Sequence, residues 1–443
     1  MSGQRMIIKR IQGRQVLDAR GRPTVEAEVE TAGGVIGRAI VPSGASTGSA
    51  EALELRDGDH ARGRFQGWGV LRAVGHVNHS LAEAVQGMDV RSQRKIDERM
   101  ILLDGTVDRS RLGANAILAV SMAVAKTAAK AQGTALYTYF HNLGHRAGPG
   151  TLLPLPMINV LSGGLHARGG VDFQDYMAIP VGASRYAEAL AMVSDVMHAV
   201  RTLLVERHEP CLGLADEGGY AARLDSNQAG CELLVAAIER AGYRLGVDCA
   251  IGLDVAATHF YHEGGYHLVA EGRVLDRDGM ITYLEHLADR YPIVSLEDGL
   301  AEDDWEGWAV LTARLGNRLQ IVGDDVFATH LDRIAEGIGL GVANAVLIKM
   351  NQVGTVTETI DAMARVQKAG YAAVVSARSG ETEDTTIADL AVGTDAGQIK
   401  VGSLRGADRT AKWNQLLRIE EELEQNASWL GVRSLKRSST PPP

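Results

Sequence analysis

Hydrophobic and polar positions along the chain follow two successive regimes. In the first, Val25, Ala27 and Val29 alternate with Glu26, Glu28 and Glu30, the period-two pattern of a strand with one buried and one wet face. Gly33-Gly34 supplies a turn, and residues 35–41 form a returning strand. Val70, Val74, Val77, Leu81 and Val85 then recur at helical spacing. The alanine-rich stretch 115–132 is apolar enough for a buried helix, with Gly133 as its stop.

From Leu155 onward the pattern changes to strands and helices in alternation. Residues 157–161 and 176–180 read as two strands with no helix between them, followed by helices at 185–209 and 227–241. Six further short apolar runs each close on an ionisable residue. Ile251-Gly252-Leu253 ends at Asp254, the run 293–296 at Glu297-Asp298, and 319–323 at Asp324-Asp325. The run 345–348 ends at Lys349, 372–376 leads to Arg378, and Gln398-Ile399 ends at Lys400. From Glu297 to Lys400 these ends recur roughly every 22–29 residues, the length of one strand, one helix and their loops. The fold class expected is α/β, with a C-terminal barrel and a smaller N-terminal α+β domain. A doubly wound sheet is the alternative, but no Gly-rich phosphate turn follows the first strand.

The composition narrows the setting. A net charge of −10 over 443 residues argues against a nucleic-acid or anionic-membrane surface. An anionic substrate would then need metal ions or a local cluster of Lys and Arg. Cys211, Cys231 and Cys249 have neither zinc-ligand spacing nor an even count, as expected of reduced thiols. No signal-peptide core and no run of about 18 apolar residues occurs, so a cytoplasmic protein is expected. A shift to Gly and Pro over 141–156 sets the expected bounds: a domain at 1–143, a barrel at 150–432 and a disordered tail at 433–443.

In a closed barrel the strands' C-terminal ends face one mouth, which brings Asp254, Glu297 and Asp324 together. Carboxylates without His or Cys are hard oxygen ligands suited to Mg²⁺ or Mn²⁺. Lys349 and Lys400 belong to the same mouth. A lysine beside a cation and a second lysine has its pKa pushed down, which suits a general base. This set favours removal of a proton next to a carboxylate, with cationic stabilisation of the charge that develops. Arg378 and Ser379 offer donors for a phosphate. The small polar loop 42–49 reads either as plain surface or as a mobile lid. Asp216-Glu217-Gly218-Gly219 marks a turn with an acid role left open, and His166, in a Gly-rich loop, is by itself uninformative.

From about Ala19 to Leu430 the chain resembles enolase. The motifs that carry the resemblance are Val41-Pro-Ser-Gly-Ala-Ser-Thr-Gly, Leu112-Gly-Ala-Asn-Ala-Ile-Leu, Asp216-Glu-Gly-Gly, Ser295-Leu-Glu-Asp-Gly-Leu-Ala-Glu-Asp-Asp-Trp, Lys349-Met-Asn-Gln-Val-Gly-Thr, Ser379-Gly-Glu-Thr-Glu-Asp-Thr and Asn414-Gln-Leu-Leu-Arg-Ile-Glu-Glu-Glu-Leu. The resemblance implies a (β/α)8-type barrel of enolase kind with a ββαα start. It also implies dehydration of 2-phosphoglycerate to phosphoenolpyruvate with two Mg²⁺ per active site, in a homodimer or larger homo-oligomer. By matched position, Asp254, Glu297 and Asp324 would hold the first metal and Ser46 would help bind the second. Lys349 would take the C2 proton and Glu217 would act as the acid at the departing hydroxyl. Gln174, Arg378, Ser379 and Lys400 would hold the substrate, and His166 would close over it.

The departures cluster. Where the family has Val-Ser-His-Arg-Ser-Gly, this chain has Val375-Ser376-Ala377-Arg378-Ser379-Gly380. Gln-Glu-Phe-Met becomes Gln174-Asp175-Tyr176-Met177, so a catalytic-side glutamate is one methylene shorter. After His166 the usual Asp-Asn-Asn gives way to Arg168-Gly169-Gly170, and after Lys400 Ser-Leu-Ser-Arg becomes Ser403-Leu404-Arg405-Gly406. The metal ligands and base are intact, while the changes fall around the leaving group and the phosphate. Three readings follow: an enolase, weakened in the departure step; a paralogue resembling carboxyphosphonoenolpyruvate synthases of phosphonate antibiotic pathways; and a non-catalytic relative.

Overall fold

The structure is a computed structural model, and it describes residues 3–45, 47–58, 64–144, 150–167 and 170–436. An antiparallel sheet opens the chain, with β1 (Ile8–Leu17), β2 (Pro23–Thr31) and β3 (Ile36–Ile40) in that order. The helix Ala114–Gln132 packs across β2 and β3 and ends at Gly133, whose φ of 67° is the left-handed stop expected. Val70, Val74, Val77, Leu81 and Val85 are all buried, as their spacing required.

The expected wet face of β2 is not wet. Glu26 and Glu28 are 6% and 8% exposed, because β2 is the central strand and arginines of both neighbours close over its acids. Arg14 pairs with Glu26, and Arg38 donates to Glu28 at 2.9 Å. Period two set the orientation correctly. What covers the outer face came from the flanking strands.

Eight strands close the barrel: β4 (Leu155–Ser162), β5 (Asp175–Ile179), β6 (Ala250–Asp254), β7 (Ile293–Glu297), β8 (Gln320–Gly323), β9 (Ala345–Ile348), β10 (Ala372–Ser376) and β11 (Gly397–Gly402). Pairing runs in chain order and closes between β11 and β4. All the pairs are parallel except those of β5, which is antiparallel to β4 and β6. The helices Tyr186–Glu206 and Asn227–Arg240 both precede β6, so the barrel starts ββαα. The closed ring excludes the doubly wound alternative.

The side-chain period of two then sorts each strand. Leu155, Met157, Met177, Val322, Leu347 and Val374 form an apolar plug inside the barrel, while Leu253, Leu296, Ile321, Ile348, Val375 and Ile399 belong to the layer under the helices. A polar layer joins the plug, where the amides of Gln320 and Gln398 pair at 2.8 Å and Gln320 also donates to Ser295. The next inward positions toward the C-terminal ends are Asp254, Glu297, Asp324, Lys349 and Lys400. The charged residues are therefore the top layer of the same stack, not the start of solvated loops.

The chain end also departs from expectation. Residues from 433 were expected to be disordered, but Gly431–Ser434 forms a 3₁₀ turn and Leu435, 5% exposed, joins the plug. The Gln398 amide donates to the Ser434 carbonyl at 2.9 Å, which ties the turn to the barrel floor. Residues 437–443 lie outside the described residues. Among the described residues no helix is long and apolar enough to cross a membrane.

Candidate active site

Two lysines organise the barrel mouth. Lys400 Nζ lies 2.7 Å from Asp254 Oδ2 and 2.8 Å from both carboxylate oxygens of Glu297. Lys349 Nζ donates to Asp324 Oδ2, and Gln352 Nε2 donates to Asp324 Oδ1 at 3.0 Å. All five charged groups are buried.

Burial pulls both ammonium pKa values down, but the facing carboxylates outweigh it, so Lys349 and Lys400 are held above their ordinary value. The depressed base expected from the sequence is thus not what the protein alone produces. Without a cation, each lysine is the counter-ion of its acids.

The acids still exceed the bases. Burial and the neighbouring Asp254 push Glu297 well above the usual carboxylate range, and burial with Asp324 pushes Asp325 up to about 8. This surplus of buried oxygen donors fits a hard divalent cation. The three expected ligands are not drawn to one point, however. The carboxylate group whose donor atoms lie within 4.8 Å of one another is Asp298, Asp324 and Asp325. The lysines explain this: Lys400 gathers Asp254 and Glu297 around its ammonium, and Lys349 holds Asp324. Asp298 is itself engaged in shaping the turn, since it accepts from the backbone N–H of Asp324 at 2.9 Å and of Asp325 at 3.1 Å.

The other wall of the mouth is an ion relay. Asp175 Oδ1 accepts from Asn159 Nδ2 and, at 3.0 Å, from Ser162 Oγ. His166 Nδ1 lies 3.2 Å from Asp175 Oδ2, and its Nε2 lies 3.9 Å from Glu217 Oε1. Burial opposes a charged His166, but Asp175 and Glu217 outweigh it and hold its pKa up at about 9. Burial would also raise Glu217, yet His166, Arg409 and Lys400 together bring it below its ordinary value. Burial also holds the Asp175 carboxyl above its ordinary value, so a proton is retained on the His166–Asp175 pair and not on Glu217. Gln174 donates to Asp254 Oδ2 at 3.2 Å and leaves its own Oε1 buried without a protein partner.

Glu217 is placed by glycine. Gly218 has φ +84°, and a Cβ there would lie 2.7 Å from the Arg405 carbonyl. Ser403 N donates to the Glu217 carbonyl at 2.8 Å, so the Glu217 turn rests on the segment that follows Lys400.

Arg378 is not the open fork expected for a phosphate. Glu51 takes it with both oxygens, at 2.8 and 3.2 Å, and Asn351 Oδ1 accepts from its Nη1 at 3.0 Å. Glu51 lies just past the small polar loop, which is not plain surface. Ser43 is fully buried and exchanges two backbone hydrogen bonds with Gly380, both 2.9 Å. Ser46 falls outside the described residues. Ser379 and Ala377 are buried beside Arg378, and the Ala377 N–H donates to the Lys400 carbonyl at 2.9 Å.

Three charged residues that hold Arg378 and its loop were not expected from the sequence. Glu51 is one. The others, Arg409 and Lys412, lie in the helix Ala407–Leu423, where buried cations are not expected. Arg409 donates to the carbonyls of Arg378, Ser379 and Val401 at 2.6–2.9 Å, bracing the loop that carries Arg378. Lys412 pairs with Glu381 at 2.8 Å, and Glu381 accepts from the Arg378 N–H at 3.1 Å. A charged residue on the apolar stripe of an amphipathic helix was the available signal.

A ββαα barrel with buried carboxylates and two lysines at its mouth defines a class: barrel enzymes that handle a small anionic substrate with a divalent cation. The comparisons narrow it. The enolase N-terminal domain family matches residues 8–140, and the enolase C-terminal TIM barrel domain family matches residues 150–438. The chain is 53% identical over 423 residues to the enolase of Rubrobacter xylanophilus, covering 95% of this chain and 96% of that protein. The chain belongs to the enolase family.

Proposed function

We propose that this chain is a working enolase: a carbon–oxygen lyase that removes the C2 proton of 2-phosphoglycerate and eliminates water to give phosphoenolpyruvate. The observation that carries the reading is the seating of Lys349 and Lys400 among buried carboxylates at the mouth of an enolase-type barrel. The kinship with a full-length enolase favours this activity over a phosphonate-related one.

Asp254, Glu297 and Asp324 would hold one Mg²⁺, and Ser46 would contribute to a second. Bound Mg²⁺ supplies positive charge to the substrate carboxylate as the C2 proton leaves. Lys349 would be the base at C2: its present partner Asp324 is one of the residues that would hold the ion, and that sharing would lower the lysine's pKa. Arg378, Ser379, Gln174 and Lys400 orient the anionic substrate, and Arg409 keeps the Arg378 loop rigid. On the far wall, Glu217 would act as the acid at the departing hydroxyl, drawing on the proton held by the adjacent His166–Asp175 pair, and His166 would close over the substrate. The substrate's phosphate takes the place of Glu51 on Arg378. The protein would act as a homodimer or larger homo-oligomer in the cytoplasm.

The assay is phosphoenolpyruvate formation from 2-phosphoglycerate, followed by ultraviolet absorbance over a Mg²⁺ titration. Mg²⁺-dependent product is expected. Absence of product at every Mg²⁺ concentration overturns the reading.

A further inference from the structure

Among the described residues, one cluster outside the barrel mouth has metal-ligand chemistry and no place in the reaction. The segment after β6 folds into a hairpin of Tyr261–His262 and Gly265–Leu268, pairing His262 with Gly265 and Tyr261 with Tyr266. Glu263 and Gly264 form its two-residue turn, with φ of 52° and 79°. His267 is then the diagonal neighbour of His262 on one face. Gly265 has no side chain to separate them, and a Cβ there would meet Val274 at 2.6 Å. The two imidazoles stack with centroids 3.5 Å apart and planes at 23°. Glu263 completes the group, and one donor atom from each residue lies within 4.8 Å of the others.

We propose that His262, Glu263 and His267 form a surface site for a borderline divalent ion such as Zn²⁺, Ni²⁺ or Cu²⁺, distinct from the Mg²⁺ chemistry of the barrel. Two imidazoles and a carboxylate suit these ions and are poor ligands for Mg²⁺. Donors about 2.1 Å from a tetrahedral ion stand about 3.4 Å apart, so donors now within 4.8 Å of one another must close by up to about 1.4 Å. The exposed His262 and Glu263 can do so by rotating toward the half-buried His267. The scaffold also orients one ligand. His267 Nε2 lies 3.1 Å from the His262 carbonyl, and a neutral ring donating there presents Nδ1 to the ion. Three protein ligands leave a position for water.

The test uses the untagged full chain dialysed against Zn²⁺ in saturating Mg²⁺, which occupies the oxygen-donor sites. Wild type is expected to take up one Zn²⁺ more than His262→Ala or His267→Ala, with unchanged Mg²⁺-supported activity in all three. Cu²⁺ loaded in the same way should show nitrogen hyperfine splitting in its paramagnetic resonance spectrum, lost in both variants. His262→Gln, an exposed polar exchange, guards against a folding defect. Zn²⁺ uptake equal in wild type and variants, whether strong or absent, overturns the proposal.

Discussion

Glu51 holds Arg378 through both carboxylate oxygens, 2.8 Å from Nη1 and 3.2 Å from Nη2, across the boundary between the N-terminal sheet region and the barrel. The loop thus occupies the guanidinium proposed to take the substrate phosphate. A hydrogen bond to a charged group is worth about 1.5–3 kcal/mol. Replacing Glu51 by Gln should therefore strengthen inorganic phosphate binding to the substrate-free protein by about tenfold or more, as read by calorimetry. Weaker phosphate binding would show that Glu51 positions Arg378 for the anion and does not compete with it.

Lys349 is the proposed base. Lys349→Ala should slow exchange of the substrate C2 proton with solvent by about 10²–10⁴-fold, the usual contribution of a positioned acid–base group. Added small amines should restore part of the rate. Exchange in the variant within a few-fold of wild type would assign the base elsewhere.

The proposed departure step would depend on the wall holding Asp175 and on the Ala377 position. An error of about 1 Å at a catalytic group can cost about 10²-fold. Restoring the family residues with the double change Asp175→Glu and Ala377→His should raise phosphoenolpyruvate formation, by up to that factor, and leave C2 exchange nearly unchanged. If both rates rise together, the lost groups serve proton removal and not leaving-group departure.

A pH effect is built in away from the site. Asp97 is fully buried, and burial raises its pKa from 3.8 to about 6 despite donors from Gln93, Ser121 and Thr357. Its folded pKa lies above its unfolded one. The protonated form is therefore favoured by folding, and its stability contribution is complete below about pH 4 and lost as pH rises through 6. At 1.36 kcal/mol per unit the change is about 3 kcal/mol. Denaturant unfolding of wild type and Asp97→Asn between pH 4 and 7 should diverge by this amount, with the variant gaining on wild type as pH rises. Parallel curves would refute the assignment.

The barrel was legible because parallel strands buried on both faces are short, apolar and regularly spaced, and their last inward position must leave the apolar plug. That rule found Asp254, Glu297, Asp324, Lys349 and Lys400. It could not find Glu51, whose role comes from a loop more than 300 residues away from Arg378. Nor could it show that the lysines sit on the carboxylates, which raises their pKa where a cation was expected to lower it. Glu26 and Glu28 were misread because cross-strand partners are set by register, and Leu435 because five polar residues and three prolines follow it.

The central claim is that one barrel mouth removes the C2 proton and then loses water. The most direct measurement incubates the protein with Mg²⁺ and 2-phosphoglycerate in D₂O. It follows deuterium entering the remaining substrate and phosphoenolpyruvate appearing in the same sample. Both should occur only with Mg²⁺, and exchange should outrun product because Asp175 and Ala377 slow departure. Absence of phosphoenolpyruvate at saturating Mg²⁺, with or without exchange, would contradict the account.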